Sequence, residues 1–174
     1  MKKNLKAVKL VIMDVDGVLT DGRIILGEEE ELKFFDVRDG MGITLAKKSG
    51  LKIGIITGRR SIAVKRRCKE LDIDYLIQGS KNKLKSLDNI IEKEKIQYKN
   101  VCYIGDDIID VPIFKKVGFS ATVNDAPDYI KPMVSYISSK PGGRGAVRDI
   151  IEYILREQGV LDSVIKDMIC EFEE

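Results

Sequence analysis

Short apolar runs, each ending abruptly at polar residues, recur along the chain and determine its predicted architecture. Runs of this length that are rich in Val, Ile and Leu are typical of strands buried on both faces of a parallel sheet. The predicted strands cover residues 8–13, 51–56, 75–77 and 101–104, a segment within 117–123, and a last short run at 134–137.

Amphipathic segments separate these runs and predict helices between the strands. The predicted helices cover residues 39–49 with Asp39 as the N-cap, 61–71, a segment from about 80 that carries Lys83, a segment ending at 116, a short one opening at 126, and closing helices at 144–157 and 160–172. This alternation predicts an α/β fold, a doubly wound parallel sheet with right-handed crossovers. A chain of 174 residues predicts one domain over 1–174. The apolar stripe of the final helix either docks on the core or strengthens an oligomer.

Residues 21–38 interrupt the alternation. Two short apolar stretches flank a glycine and four glutamates, Glu28 to Glu31, which predicts a small β-hairpin inserted after the first strand. We expect the glutamates to form its solvated tip. A projecting hairpin that carries Phe34 and Phe35 needs something to cover its apolar face, and we therefore expect a subunit interface here.

The charge and residue totals exclude several classes of function. The formal net charge is +2, so no global field favours nucleic acid or an anionic membrane as a partner. No apolar run approaches the roughly 18 residues of a membrane span. The three cysteines lack metal-ligand spacing and no export signal is recognisable, so we expect a cytoplasmic protein.

Histidine is absent from the sequence. This absence excludes Ser-His-Asp triads, Cys-His pairs, phosphohistidine chemistry and histidine-ligated zinc. An enzyme of this composition that works near neutral pH would use carboxylates, lysine, tyrosine or cysteine for proton transfer.

Chemically capable side chains follow the predicted strands where each strand ends. They are Asp14 and Asp16 after the first strand, Thr57 after the second, Asp106 and Asp110 after the fourth, and Lys83 near the start of a helix. Parallel strands bring their carboxyl ends to one edge, so these groups should gather there. Carboxylates are hard ligands for Mg²⁺, and a hydroxyl with an ammonium suits a transferring phosphoryl group. One carboxylate is left to attack phosphorus and another to move protons.

Each feature also has a plain structural explanation. Thr57 with Gly58 could form an ordinary strand-end turn, and Lys83 could be a surface lysine. The acidic group at 106–110 could cap a helix, where negative charge is favoured. The features occur in chain order at successive strand ends. One phosphoryl-transfer site explains all of them, whereas the structural explanations would each have to hold separately.

The same residues resemble the four motifs of the haloacid dehalogenase-like phosphatases. The motifs are Asp14-x-Asp16-Gly-x-x-Thr20, Thr57-Gly58, Lys83 and Gly105-Asp106-Asp107-x-x-Asp110. Over nearly the whole chain the sequence is similar to the 3-deoxy-D-manno-octulosonate 8-phosphate (KDO 8-phosphate) phosphatases. That closer resemblance adds the segments at 13–22, 35–40, 56–59, 103–107 and 142–148.

The resemblance implies an activity and an assembly. It implies hydrolysis of KDO 8-phosphate to KDO and phosphate in lipopolysaccharide precursor biosynthesis, with Mg²⁺ as cofactor. It also implies a capless fold that forms a homotetramer through the inserted hairpin. In such a tetramer the glycine-arginine segment at 142–148, within a C-terminal tail at about 140–174, lines a neighbour's active site.

The resemblance also implies a role for each motif residue. Asp14 is the expected nucleophile that forms an aspartyl-phosphate, and Asp16 the expected acid and base. Thr57 and Lys83 hold the phosphoryl oxygens. The expected metal ligands are Asp14, the Asp16 backbone carbonyl and Asp106, with Asp110 supporting the metal through water or through Lys83. How Asp106, Asp107 and Asp110 share the metal stays open.

Arginines are the expected ligands of the substrate's carboxylate, because a planar guanidinium pairs with it through two hydrogen bonds. The candidates are Arg38, Arg59, Arg60 and, from a neighbour's tail, Arg144 or Arg148. Related phosphatases for nine-carbon sugar acids tend to carry glutamate where Arg59 stands, so this residue favours the eight-carbon sugar. For Arg38 and Arg60 a surface salt bridge is an equally good interpretation.

Three alternatives compete with this assignment. The first is a phosphatase for a nine-carbon sugar acid 9-phosphate or another sugar phosphate. The second is a receiver-like signalling domain, which would need a phosphate-accepting aspartate after the third strand, where this chain has Gln78. The third is a phosphatase-like subunit that only binds its ligand, although Asp14 and Asp16 are both intact.

Overall fold

A six-stranded parallel sheet forms the centre of the protein. The computed structural model describes residues 5–27 and 31–173. The strands in chain order are β1 (Leu10–Met13), β2 (Ile25–Leu26), β3 (Glu31–Leu32), β4 (Lys52–Thr57), β5 (Tyr75–Gln78), β6 (Val101–Ile104), β7 (Phe119–Thr122) and β8 (Tyr136–Ile137). The sheet order is β5-β4-β1-β6-β7-β8, which confirms the predicted parallel α/β fold.

Helices cover the sheet. They are α1 (Val37–Lys48), α2 (Ile62–Glu70), α3 (Lys83–Glu94), α4 (Val111–Phe114), α5 (Ala146–Gln158) and α6 (Leu161–Glu173). The N-cap of the first helix lies three residues earlier than predicted, because Asp36 takes this position and accepts a hydrogen bond from the Arg38 backbone N–H at 2.8 Å. Where a short helix was predicted at 126, the structure has turns and then a 3-10 helix at Lys131–Met133.

Asp39 has a different role from the predicted cap of its own helix. It is buried in the first turn of α1, and its carboxylate accepts backbone N–H groups at the start of α5 from Gly145 (3.2 Å) and Arg148 (2.9 Å). These N–H groups have no partner within their own helix, so a side chain from another helix satisfies them. Asp39 thereby joins α1 to the glycine-rich segment, residues 142–145, that precedes α5.

The strand pair β2–β3 occupies part of the segment in which a hairpin was predicted. The two strands pair antiparallel over two residues each. The predicted tip residues Glu28 to Glu30 lie outside the described residues, so the hairpin stays a prediction. Glu31 is not a solvated tip residue, because it lies in β3 and forms ion pairs with Lys33 and Arg59. Phe34 is 66% exposed, while the half-buried Phe35 packs on the core.

The apolar stripe of α6 docks on the core as far as Met168 and not beyond it. Leu161, Val164 and Met168 are buried, whereas Ile169 and Phe172 are exposed. Across residues 5–27 and 31–173, every helix is too short or too polar to span a lipid bilayer.

Close packing of α1 on α5 depends on Gly42. A Cβ atom at this position would lie 2.7 Å from the Arg148 Cα atom. Alanine stabilises a helix interior by about 1 kcal/mol relative to glycine, but overpacking costs about 1–3 kcal/mol. A backbone atom cannot move away by changing rotamer, so the packing cost should dominate.

We therefore predict that Gly42→Ala lowers the free energy of unfolding by about 1–2 kcal/mol, measured by urea denaturation. Met41→Ala changes an exposed neighbour in the same helix and should stay within about 0.5 kcal/mol of the parent protein. A Gly42→Ala variant as stable as the parent would contradict the close helix contact.

Candidate active site

The sheet register brings the predicted site residues to one edge. In β1, Met13 pairs with Ile55 of β4 on one side and with Ile104 of β6 on the other. Asp14 directly follows Met13, and its backbone N–H donates to the Ile104 carbonyl oxygen at 3.0 Å. Residues after three adjacent strands therefore meet around Asp14, as the sequence predicted for parallel strands.

Lys83 joins two of the predicted carboxylates. Its Nζ atom lies 2.5 Å from Asp14 Oδ2 and 2.8 Å from Asp110 Oδ1. All three side chains are buried. Burial alone would lower the pKa of Lys83, but the charges of Asp14 and Asp110 outweigh it and the pKa is raised. The side chain is therefore an ammonium that compensates buried negative charge.

Asp110 is fully occupied by hydrogen-bond donors. Its Oδ1 accepts the Tyr103 hydroxyl at 2.6 Å in addition to the Lys83 ammonium. Its Oδ2 accepts the backbone N–H groups of Asp106 at 3.1 Å and Asp107 at 3.4 Å. A carboxylate held in this way is rigid, and its main contact is with Lys83. Tyr103, which lies in an otherwise apolar strand, was not among the residues predicted for the site.

Asp106, in contrast to Asp110, has a carboxylate oxygen without a hydrogen-bond donor among the described residues. This oxygen, Oδ1, is buried. Gly17 permits the approach of this carboxylate, because a Cβ at 17 would lie 2.0 Å from Asp106 Oδ2 and the φ angle of +90° already favours glycine. Burial raises the pKa of Asp106 to about 7, and the charges of Asp14 and Asp110 add to the effect. Burial also raises the pKa of Asp14, although Lys83 opposes this.

These carboxylates fit a divalent cation. Asp14, Asp106 and Asp110 each offer an oxygen, and the three oxygens lie within 4.8 Å of one another. One ammonium cannot neutralise three carboxylates. Burial is the main cause of the raised pKa values of Asp14 and Asp106, and repulsion among the carboxylates adds to it. The unpaired Asp106 oxygen supplies a free hard ligand of the kind that Mg²⁺ prefers.

Asp16 lies beside this cluster and has its own cation. Its Oδ1 accepts a hydrogen bond from the Lys33 ammonium, which comes from the residue after β3. Lys33 also forms an ion pair with Glu31 at 2.7 Å, and Glu31 forms a second one with Arg59. Lys33 was not among the site residues predicted from the sequence. The one feature of the sequence that could have indicated it is its position as a charged residue between two apolar ones, Leu32 and Phe34.

Thr57 ends β4 and its side chain is buried at the same edge. Its Oγ1 accepts the backbone N–H of Arg59 at 3.4 Å, which is a long hydrogen bond. The hydroxyl proton can therefore be donated to a bound anion. Thr57 therefore lies at the edge of the sheet where the sequence predicted it.

The candidate arginines lie in several different places. Arg59 follows β4 and pairs with Glu31. Arg38 is exposed in the first turn of α1, and Arg60 lies against Gly79 after β5. The last two lie in and after the glycine-rich segment: Arg144 lines an open cleft with Phe34 and Phe35, and Arg148 pairs with Glu152 at 2.6 Å.

The glycine-rich segment packs on the loop that follows β1 of the same chain. The Gly143 N–H donates to the Val18 carbonyl oxygen at 2.9 Å, and the Gly142 N–H donates to Asp125 at 2.8 Å. With Asp39 bound to the Gly145 N–H, the segment is held at both ends. The side chain of Arg144 remains exposed.

The raised pKa of Asp106 predicts a pH-dependent effect on stability. A carboxyl with a higher pKa in the folded than in the unfolded protein destabilises the fold once it ionises, so its cost grows from about pH 4 to about pH 7 and stays constant above. In metal-free protein we expect Asp106→Asn to raise the free energy of unfolding by on the order of 2 kcal/mol near pH 8 and by clearly less near pH 5. Urea denaturation in a chelating buffer measures both. An equal change in the free energy of unfolding at the two pH values would contradict a raised pKa of Asp106.

Known proteins show which family has this arrangement. The profile of haloacid dehalogenase-like hydrolases matches residues 75–151. The chain is 47% identical to the 3-deoxy-D-manno-octulosonate 8-phosphate phosphatase of Escherichia coli over 156 residues, which are 89% of this chain and 83% of the relative. The Yersinia pestis enzyme is 42% identical over 156 residues, with the same coverage.

Solved structures agree. The Moraxella catarrhalis KDO 8-phosphate phosphatase, a complex with magnesium ion, phosphate ion and KDO, superimposes with a TM-score of 0.91 at 42% identity and covers 94% of this chain and 95% of its own. A cobalt-bound phosphatase from Haemophilus influenzae gives 0.87 at 37% identity, with 90% and 92% covered. The predicted resemblance is confirmed, and the receiver-domain alternative is excluded. The chain belongs to the 3-deoxy-D-manno-octulosonate 8-phosphate phosphatases, a family of haloacid dehalogenase-like hydrolases.

Proposed function

We propose that the protein hydrolyses KDO 8-phosphate to KDO and phosphate with Mg²⁺ as cofactor, and that it serves lipopolysaccharide precursor biosynthesis. The observation that carries the proposal is the Asp14–Lys83–Asp110 cluster beside the unpaired Asp106 oxygen, in a chain of this family. Two carboxylates with different partners, Asp14 and Asp16, then divide the chemistry between them.

Asp14 is the nucleophile in this proposal. Its Oδ2 accepts the Lys83 ammonium and its Oδ1 accepts the Val15 backbone N–H at 2.7 Å, so the carboxylate cannot rotate. A carboxylate oxygen retains a lone pair for in-line attack on phosphorus, which gives an aspartyl-phosphate and releases the sugar alcohol. Lys83 and the Thr57 hydroxyl offset charge on the phosphoryl oxygens during the transfer.

Asp16 moves the protons. It protonates the departing sugar oxygen and later accepts a proton from the water that attacks the aspartyl-phosphate. Its carboxylate is half-buried at the mouth of the site, where solvent can reach it. This division of roles needs no histidine, and the sequence contains none.

Residues of the cluster would hold the metal. The proposed ligands are the Asp14 carboxylate, the Asp16 backbone carbonyl and the Asp106 carboxylate, while Asp110 acts on the site through Lys83. Asp110 is the least suited of the predicted ligands, because four donors occupy its two oxygens, whereas Asp14 accepts only two. A bound Mg²⁺ supplies charge neutralisation and orients phosphate oxygens.

The choice of substrate depends on the arginines. Arg59 is the strongest candidate for the sugar carboxylate, because it follows Thr57 directly and already binds a carboxylate, that of Glu31. KDO would displace Glu31 from it. Arg38, Arg60, Arg144 and Arg148 complete the proposed set, with the last two expected to serve a neighbouring subunit.

We further infer a single domain over the whole chain, a cytoplasmic location and a homotetramer assembled through the strand pair β2–β3. Leu26, Leu32, Phe34 and Val37 all expose more than half of their surface in or next to this strand pair. Exposed apolar side chains in one segment favour association with another protein surface. A second copy of this chain would cover them.

The substrate assignment predicts a strong preference in phosphate release with Mg²⁺. We expect KDO 8-phosphate to exceed a nine-carbon sugar acid 9-phosphate and common hexose phosphates by about a hundredfold in kcat/KM, or ~3 kcal/mol of transition-state binding. Asp14→Asn should release no phosphate from any of them and serves as the blank. Equal kcat/KM values across these substrates would contradict the preference for KDO 8-phosphate and would indicate a general sugar-phosphate phosphatase.

The metal assignment predicts different roles for two neighbouring aspartates. Asp106→Asn should weaken Mg²⁺ binding at least about tenfold in isothermal titration calorimetry, because it removes a charged ligand. Asp107→Asn should leave it unchanged within about twofold, since the exposed Asp107 carboxylate caps the backbone N–H groups of Ile108, at 2.6 Å, and of Asp110. Equal losses in both variants would contradict the role of the unpaired Asp106 oxygen.

A further inference from the structure

Lys33 is a buried cation that the proposed mechanism does not use. Its side chain has 0% exposed surface, and its Nζ contacts Asp16 Oδ1 and, at 2.7 Å, Glu31 Oε1. Burying an ammonium costs several kcal/mol unless charged partners compensate. In this protein the compensation comes from two carboxylates, one of which is the proposed acid and base.

Only one oxygen of Asp16 is engaged by Lys33. The ammonium binds Oδ1, and no hydrogen bond to Oδ2 is formed by any described residue. The Asp16 side chain is 22% exposed, so solvent or a ligand can reach the carboxyl group. A carboxyl that is fixed through one oxygen presents the other in a single direction, and proton transfer depends on that direction.

We propose that Lys33 is a positioning residue for proton transfer to the leaving group, an inference that rests on the proposed function. Lys33 holds Oδ1, and Oδ2 carries the proton. As Asp14 forms its bond to phosphorus, the bond between phosphorus and the sugar oxygen breaks and its electron pair goes to that oxygen. The Oδ2–H proton moves to the same oxygen, and Asp16 becomes a carboxylate whose charge Lys33 offsets.

Glu31 fixes Lys33 in this geometry. Its Oε1 forms the ion pair with Lys33, and its Oε2 forms the one with Arg59 at the end of β4. Strand β3 therefore connects the acid and base to the residue proposed to bind the substrate's carboxylate. A substrate that takes Arg59 from Glu31 leaves Lys33 with both of its carboxylate contacts.

A purely structural role for Lys33 gives a different expectation. Lys33 could simply attach the β2–β3 segment to the sheet edge, in which case its loss would impair every substrate alike. Positioning of an acid matters only where the leaving group needs a proton. A sugar alkoxide is a poor leaving group and needs one, whereas 4-nitrophenolate leaves without it.

The test compares these two leaving groups with Lys33→Met, which keeps an unbranched apolar stem and removes the ammonium group. We expect kcat/KM with KDO 8-phosphate to fall about thirtyfold or more and with 4-nitrophenyl phosphate less than about threefold. This ratio reports the steps up to alcohol release, so the later hydrolysis does not enter it. Lys33→Arg should recover most of the loss.

Two further variants serve as controls for Lys33→Met. Lys47→Met removes a lysine whose ion pair, with Asp72 at 2.6 Å, lies outside the site, and should match the parent on both substrates. Asp16→Asn should show the same selective loss as Lys33→Met. Thermal unfolding of each variant verifies the fold.

Equal losses of Lys33→Met on both substrates would overturn the proposal and leave Lys33 as a structural attachment. The proposal would also be overturned if Asp16→Asn lost activity selectively with KDO 8-phosphate and Lys33→Met did not. In that case the proposed function would still stand. If the parent does not release phosphate from KDO 8-phosphate, the substrate assignment fails, and an alkyl phosphate that the parent does hydrolyse replaces it in the comparison. Losses that are selective in neither variant would contradict proton transfer by Asp16 itself.

Discussion

One buried ammonium holds together carboxylates that would otherwise repel one another. Lys83 lies within 2.8 Å of both Asp14 and Asp110, and without it each carboxylate would be driven to bind a proton. The compensation is incomplete because Asp106 adds a third negative charge. This deficit makes the sheet edge a place for a divalent cation. The cluster also restricts the residue at position 17, which must lack a side chain so that the Asp106 carboxylate can approach.

Two aspartates only two positions apart have different cations, and this difference is the basis of the different roles proposed for them. Asp14 is bound by Lys83, which begins α3 and belongs to the buried core. Asp16 is bound by Lys33, which follows the short strand β3. Environments of this kind assign distinct roles to equivalent side chains. The core thus holds the proposed nucleophile, and the segment that carries β2 and β3 contacts the proposed acid and base.

The sequence predicted the sheet well and the contacts between distant residues poorly. Uninterrupted apolar runs identified the core strands, and their shared edge identified Asp14, Thr57 and Asp106 as neighbours. Polar contacts such as those of Lys33 depend on the direction of a side chain and on a partner 17 residues away, which periodicity does not encode. The same holds for Asp39, which looked like a cap of its own helix and instead satisfies the start of α5.

The most direct test of this account is to trap the covalent intermediate. The enzyme would be mixed with Mg²⁺ and KDO 8-phosphate, quenched in acid within one turnover, and treated with borohydride, which reduces an acyl phosphate to an alcohol. The account predicts that mass spectrometry finds homoserine in place of aspartate at residue 14, and that the product is absent without substrate. Reduction at Asp16, or no reduction at any aspartate while phosphate is released, would contradict the assignment of Asp14 as the nucleophile.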